Sequence, residues 1–239
     1  MEALETKLSR FAAKGSEQFK ANAQPESLGD GCRTRYPAIK PETATCPDCK
    51  KAFKSSMVGW IRCPECLGKK CLEWFDQVCP VSYAKTDLGR LPVAQWQEVS
   101  QWKPDGEGLL LTGESRTGKT RSAWMLIKRL SKEGLKVLPF SPVGFATELV
   151  DAQVNGSGKK FMERVCKSPL VFFDDLGKCK LTENVEANLF EVIEQRTAWE
   201  RPTIVTTNDT GESLKARMSE NRGTPLVERI KEFFQVVEF

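Results

Sequence analysis

Residues 108–239 are predicted to form a parallel β-sheet covered by helices on both faces, and three observations carry that prediction. Five apolar runs read as strands, Leu109–Thr112, Lys136–Phe140, Leu170–Phe173, Thr203–Thr206 and Phe234–Phe239, with helical patterns near 119–131, 143–153, 184–199 and 211–220 between them. Alternation of helices with continuously apolar strands is the mark of a sheet buried on both sides. The first strand leads into Gly113-Glu114-Ser115-Arg116-Thr117-Gly118-Lys119-Thr120, the pattern G-x-x-x-x-G-K-T, which opens the first helix. The third strand ends in Asp174 and Asp175, so two carboxylates emerge where open α/β sheets bind ligands.

Each of these residue types has a chemical reason to be there. Gly113 and Gly118 let the loop turn its N–H groups toward a di- or triphosphate, and Lys119 reaches the outer phosphates. Thr120, followed by Arg121, sits at a helix N-terminus whose dipole favours anions, with its hydroxyl placed to ligate Mg²⁺. Asp174 is expected to hold that Mg²⁺ and Asp175 to polarise the water that attacks the γ-phosphate. The fourth strand ends in Asn208, whose amide can bond the γ-phosphate or the attacking water, although Asn-Asp-Thr-Gly is equally good turn chemistry.

Ahead of the sheet the chain divides three ways. Residues 1–30 place Met1, Leu4, Leu8 and Phe11 on one helical face, a stripe too short to stand alone and so a candidate docking element. Residues 31–85 contain Cys46-Pro47-Asp48-Cys49 and Cys63-Pro64-Glu65-Cys66, two C-x-x-C knuckles separated by thirteen residues. Four thiolates at Cys46, Cys49, Cys63 and Cys66 would close the coordination sphere of a structural Zn²⁺. Cys71 and Cys79 are possible substitutes, and Cys32, Cys166 and Cys179 read as free thiols. Lys50, Lys51, Lys54, Arg62, Lys69 and Lys70, with Phe53 and Trp60 among them, suit single-stranded nucleic acid and equally suit a solubilising surface on a small zinc ribbon. Residues 86–107 read as a connector, and Asn155–Lys160 as a loop able to touch DNA.

Composition narrows the class. The chain of 239 residues is 40% hydrophobic, carries a net charge of +4, and has nine cysteines but no membrane-length apolar window and no apolar leader, which predicts a cytoplasmic, reducing setting and no membrane partner.

The runs DDLGKCKLTENVEANLFEVIEQR and RPTIVTTN, together with the phosphate loop, resemble the AAA+ ATPases of the DnaC type and the related IstB-type transposition ATPases over about residues 95–239. The resemblance implies an AAA+ P-loop ATPase at 108–239, Mg²⁺ and base roles for Asp174 and Asp175, and a sensor role for Asn208. It also implies an arginine finger acting on a neighbouring subunit, for which Arg229 is the first candidate and Arg222 and Arg217 are alternatives. It further implies self-association and, as partners, a hexameric DnaB-type replicative helicase and single-stranded DNA; a transposition helper and a zinc-dependent adaptor with a structural nucleotide site are the alternatives. Two departures stand out. Arg116 replaces the glycine common at the fourth loop position, and the sequence ends at Phe239 directly after the last strand, which predicts no helical C-terminal lid.

Overall fold

The computed structural model describes residues 42–55 and 62–239, all within the unit Cys32–Phe239. The stripe at Met1, Leu4, Leu8 and Phe11, together with Cys32 and Trp60, lies outside the described residues. A short hairpin, β1 (Glu42–Thr45) and β2 (Ala52–Ser55), precedes helices α1 (Pro64–Val78), α2 (Val81–Ala84) and α3 (Val93–Gln101). Then come β3 (Gly108–Thr112), α4 (Lys119–Lys132), β4 (Val137–Phe140), α5 (Pro142–Val154), α6 (Gly158–Lys167) and β5 (Leu170–Leu176). The chain closes with α7 (Glu183–Ala198), β6 (Thr203–Thr207), α8 (Gly211–Arg217), α9 (Glu220–Phe233) and β7 (Phe234–Glu238).

Five strands form one parallel sheet in the order β4-β5-β6-β3-β7. Strand side chains alternate between faces, and here both faces are dry. Val171 and Phe173 of β5 join Phe140, Phe145, Leu189 and Ile230 in one cluster, whereas Leu170 and Phe172 join Trp124, Ile127, Leu109 and Ile204 in the other. That double burial is why the strands read as unbroken apolar runs.

Three features depart from the sequence reading. The connector expected at 86–107 contains a 3-10 turn (Leu88–Arg90) and α3, and it buries Leu91, Val99 and Trp102. The loop expected at Asn155–Lys160 is a turn of three residues followed by α6, whose first residue is Gly158. The helical pattern near 211–220 is cut at Met218, and α9 continues with Pro225 inside it. In addition, α1 begins at the second cysteine knuckle and runs on into the core. Gly68 lies so close to the C-terminal end of α4 that a Cβ there would sit 2.2 Å from the Lys132 carbonyl oxygen. Further along α1, Phe75 meets Trp124 edge-on and the Trp74 indole N–H donates to the Val137 carbonyl at 2.7 Å.

Candidate nucleotide and metal sites

The phosphate loop joins β3 to α4, and its backbone explains its composition. Gly113 has φ +135° and a Cβ would strike the Phe239 carbonyl oxygen at 2.2 Å; Gly118 has φ +110° and rests on Pro92. Arg116 takes the left-handed conformation at φ +68°, so the arginine at the fourth loop position adopts a conformation that glycine favours. Lys119 is buried, its Nζ donating to the carbonyls of Gly113 (2.9 Å) and Glu114 (2.5 Å). Burial pulls the Lys119 ammonium below the usual lysine value, opposed by the charges of Asp175 and Asp174. Thr117 bonds back to the Glu114 carbonyl (2.9 Å), and Ser115 is exposed. The Arg121 guanidinium is held by the Ser82 carbonyl and the Thr86 hydroxyl, at 3.2 and 3.3 Å.

The acidic pair sits on a β-bulge. The register between β5 and β6 shifts between Phe173 and Leu176, and Asp175 turns to φ +62°. A bulge of this kind re-aims side chains out of the sheet. Asp174 Oδ1 accepts from Thr120 Oγ1 at 2.8 Å and from Thr206 Oγ1 at 2.7 Å, while the Asp175 backbone N–H donates to Thr206 Oγ1 at 2.8 Å. One Asp175 carboxylate oxygen accepts from the Asn208 amide at 2.9 Å. Lys119, Thr120, Asp174, Asp175 and Asn208 therefore converge, and the hydroxyl and carboxylate of Thr120 and Asp174 are the hard oxygen donors that Mg²⁺ prefers. Thr206 was legible only as a strand residue. Its signal was a pair of threonines closing a strand whose two preceding residues, Ile204 and Val205, are apolar.

The candidate finger arginines are engaged within the chain. Arg229 pairs with Glu194 and lies 5.1 Å over the Phe233 ring; Arg217 Nε bonds Asp209 Oδ1 at 2.9 Å; Arg222 bonds Ser219 Oγ at 3.4 Å.

The second site is the cysteine cluster. Cys46 and Cys49 come from the β1–β2 turn, where Lys50 has φ +62°, and Cys63 and Cys66 from the start of α1. The four sulfurs lie within 4.8 Å of one another, with Cys49 and Cys63 Sγ at 3.7 Å. Tetrahedral Zn–S bonds of about 2.3 Å place sulfurs about 3.8 Å apart, so the four cysteines are positioned to bind such an ion. Crowding splits their acidities. Against the effect of burial, backbone N–H groups of Cys49, Cys63 and Asp48 bring Cys46 down to about 6, whereas the neighbouring Cys63 thiol, with burial, pushes Cys66 up to about 12. Cys71 and Cys79, expected as possible substitutes, are instead buried further along α1 and just past its end, and burial pushes Cys79 up to about 11. Of the surrounding cations, Arg62 and Lys70 pair with Asp48 (2.9 and 3.7 Å), and Lys51 approaches Glu65 at 4.0 Å.

Comparison with known proteins adds to this geometry. The sequence model of a family described as IstB-like ATP binding protein matches residues 69–238. An ATP-binding protein ascribed to insertion sequence IS1162 of Pseudomonas fluorescens is 32% identical over 105 residues, 44% of this chain and 45% of that protein. Uncharacterized protein YdaV of Escherichia coli is 29% identical over 110 residues, 46% of this chain and 44% of YdaV. The matched segment thus spans less than half of each of these relatives. Among solved structures, a DnaC helicase loader superposes with a TM-score of 0.52 at 23% identity, covering 72% of this chain and 99% of that one. At that identity the likeness establishes the fold, an AAA+ P-loop domain.

Proposed function

The chain belongs to the IstB-like ATP-binding protein family, and from that premise we propose that it is an ATPase that loads a hexameric DnaB-type replicative helicase onto single-stranded DNA. The observation that carries the ATPase reading is the closed constellation of Thr120, Asp174 and Thr206 beside Asp175 and Asn208. Lys119 and the loop N–H groups bind the phosphates; Thr120 and Asp174 hold Mg²⁺, which when bound neutralises charge across the outer phosphates. Asp175 accepts the proton of the attacking water and Asn208 orients it. Arg229 is proposed as the finger offered to a neighbouring subunit, with Arg222 and Arg217 as alternatives, and residues 108–239 as the self-associating ATPase domain. Zn²⁺ is the proposed ion of the Cys46–Cys66 module, and residues 1–30 the proposed helicase hook. Support for the loader role is the fold shared along nearly the whole of the DnaC loader chain.

A second reading, delivery of a transposase, is favoured by the insertion-sequence relative. Both use the same hydrolysis and differ in partner. Affinity capture of the full chain with ATP from host extract, identified by mass spectrometry, separates them: recovery of the replicative helicase supports loading, and recovery of a transposase without helicase refutes it. Replacing Leu4 and Leu8 with Asp is expected to abolish helicase capture while ATP binding and melting temperature stay unchanged.

A further inference from the structure

Each carboxylate oxygen of Asp175 has one protein partner. Asn208 Nδ2 occupies Oδ1 at 2.9 Å and Lys178 Nζ pairs with Oδ2 at 3.1 Å. The turn that brings Lys178 back is fixed from several sides. Gly177 has φ +96° and lies so close to Asp209 that a Cβ would sit 2.0 Å from Asp209 Oδ2. Asp209 is clamped by Arg217 at 2.9 Å, and its carbonyl accepts from the Thr112 hydroxyl at 3.2 Å. The Lys178 N–H donates to the Asp175 carbonyl at 3.2 Å, closing the turn. Hydrogen bonding to Asp175 holds the Lys178 ammonium above the ordinary lysine value, so it stays charged at neutral pH. Its side chain is nonetheless 71% exposed, so the pair is a tether that solvent can compete for.

A general base needs a lone pair facing the proton it removes. In hydrolysis the water proton passes to the Asp175 carboxylate, the water oxygen bonds the γ-phosphorus, and the bond to the β,γ-bridging oxygen breaks, ADP leaving with the electron pair. Asn208 is neutral and has a second N–H for the water or phosphate, so its bond to Asp175 is compatible with that step. The Lys178 bond works against it, because an ammonium paired with the carboxylate favours the charge that taking up the proton would remove. We propose that Lys178 is a positioning residue that restrains Asp175, keeping basal ATP hydrolysis slow by holding in an ion pair the carboxylate that would receive the proton. This rests on the ATPase reading above.

The test is steady-state ATP hydrolysis by the full chain with Mg²⁺, with nucleotide affinity measured separately. Lys178→Met is expected to raise kcat about 3- to 5-fold, the scale of releasing one exposed ion pair, with KM within about twofold of wild type. Lys178→Arg, which keeps a cation in reach, returns the rate toward wild type. The double variant Lys178→Met with Asp175→Asn falls to the rate of Asp175→Asn alone, which shows that the gain runs through the carboxylate. An unchanged or lower kcat in Lys178→Met, with wild type faster than Asp175→Asn, overturns the restraint and leaves the ATPase reading standing. Wild type, Lys178→Met and Asp175→Asn all equally inactive, with nucleotide still bound, overturns both.

Discussion

At the nucleotide site each chemically important side chain has a protein partner: Lys119 is held by loop carbonyls, Asp174 by Thr120 and Thr206, Asp175 by Asn208 and Lys178. At the cysteine cluster, four residues arrive from a four-residue-strand hairpin and one helix turn, and the sulfurs lie chiefly against one another. The first site is fixed by a five-stranded sheet whose strand ends aim its groups. Among its described residues between 42 and 63, the second contributes no side chain to either apolar cluster, and an ion bound by its four cysteines would supply free energy that holds it together. Preorganisation by the fold makes a site tolerant of losing its ligand; assembly around an ion makes site and ligand inseparable.

The largest expected effect follows from that contrast. Purified protein should carry about one zinc per chain, and an ion bound with an apparent free energy on the order of 10 kcal/mol should be structurally essential to its module. Stripping it is expected to erase hydrogen-exchange protection across residues 42–66 while nucleotide affinity changes less than about threefold, because Trp74 and Phe75 still anchor α1. Protein free of metal after purification without chelators, or nucleotide binding lost with the metal, would break the comparison.

Next in size are the variants of the preorganised site. Lys119→Ala is expected to abolish Mg²⁺-dependent ATP binding, read by titration calorimetry, and wild-type affinity in that variant would sink the phosphate-loop assignment. Asp175→Asn should keep binding and lower kcat by about 10² to 10⁴, the range for loss of a general base. If Asp174→Asn alone gives that phenotype, the two carboxylates have exchanged roles.

A smaller effect tests the seam between the regions. Gly68→Ala pushes a methyl group into the Lys132 carbonyl and is expected to cost about 1–3 kcal/mol, read as a fall of several degrees in Tm. Gly156→Ala meets nothing within 4 Å and carries only the cost of φ +69°, so it should melt closer to wild type. Equal melting of the two would mean that α1 does not press on α4 in solution.

The smallest effect separates the two ends of α1. With its pKa pushed up to about 11, Cys79 is roughly 10⁻³ ionised at pH 8 and should resist iodoacetamide in the zinc-loaded protein far longer than an ordinary thiol. Alkylation of Cys79 at an ordinary thiol's rate, followed by peptide mass spectrometry, would show that this end of the helix opens readily.

Legibility in the sequence followed the same division. The sheet was readable because both faces of β5 and β6 are buried, which leaves continuous apolar runs such as Leu170–Phe173. Lys119, Thr120, Asp174 and Asn208 could be singled out because their residue types stand at fixed positions, the first two at the start of a helix after the phosphate loop and the others at strand ends. The bulge that turns Asp175 to φ +62° was not, since no glycine marks it. Helix α6 was hidden by Gly156, Ser157 and Gly158, which read as a loop although Gly158 is already helical. Helix α9 was hidden by Gly223 and Pro225; Gly223 is there because a Cβ would approach the Lys215 carbonyl oxygen at 2.8 Å where α8 and α9 cross. The burial of α1 and α3 was hidden for a different reason: tryptophan, cysteine and proline at irregular spacing give no clean period to read.

The helix that carries Cys66 near one end and Phe75 near the other also sets a rotational phase between the cysteine cluster and the core of the sheet domain. Each residue of an α-helix turns the chain by about 100° and advances it about 1.5 Å. One residue inserted between Cys66 and Gly68 would swing the knuckle about a quarter turn around α1 while the core held Phe75 in place. Length variation in this part of the chain is therefore expected between Cys49 and Cys63, ahead of the helix. Between Cys66 and Phe75, only steps of about seven residues, two full helical turns, would return the cysteines to the same side.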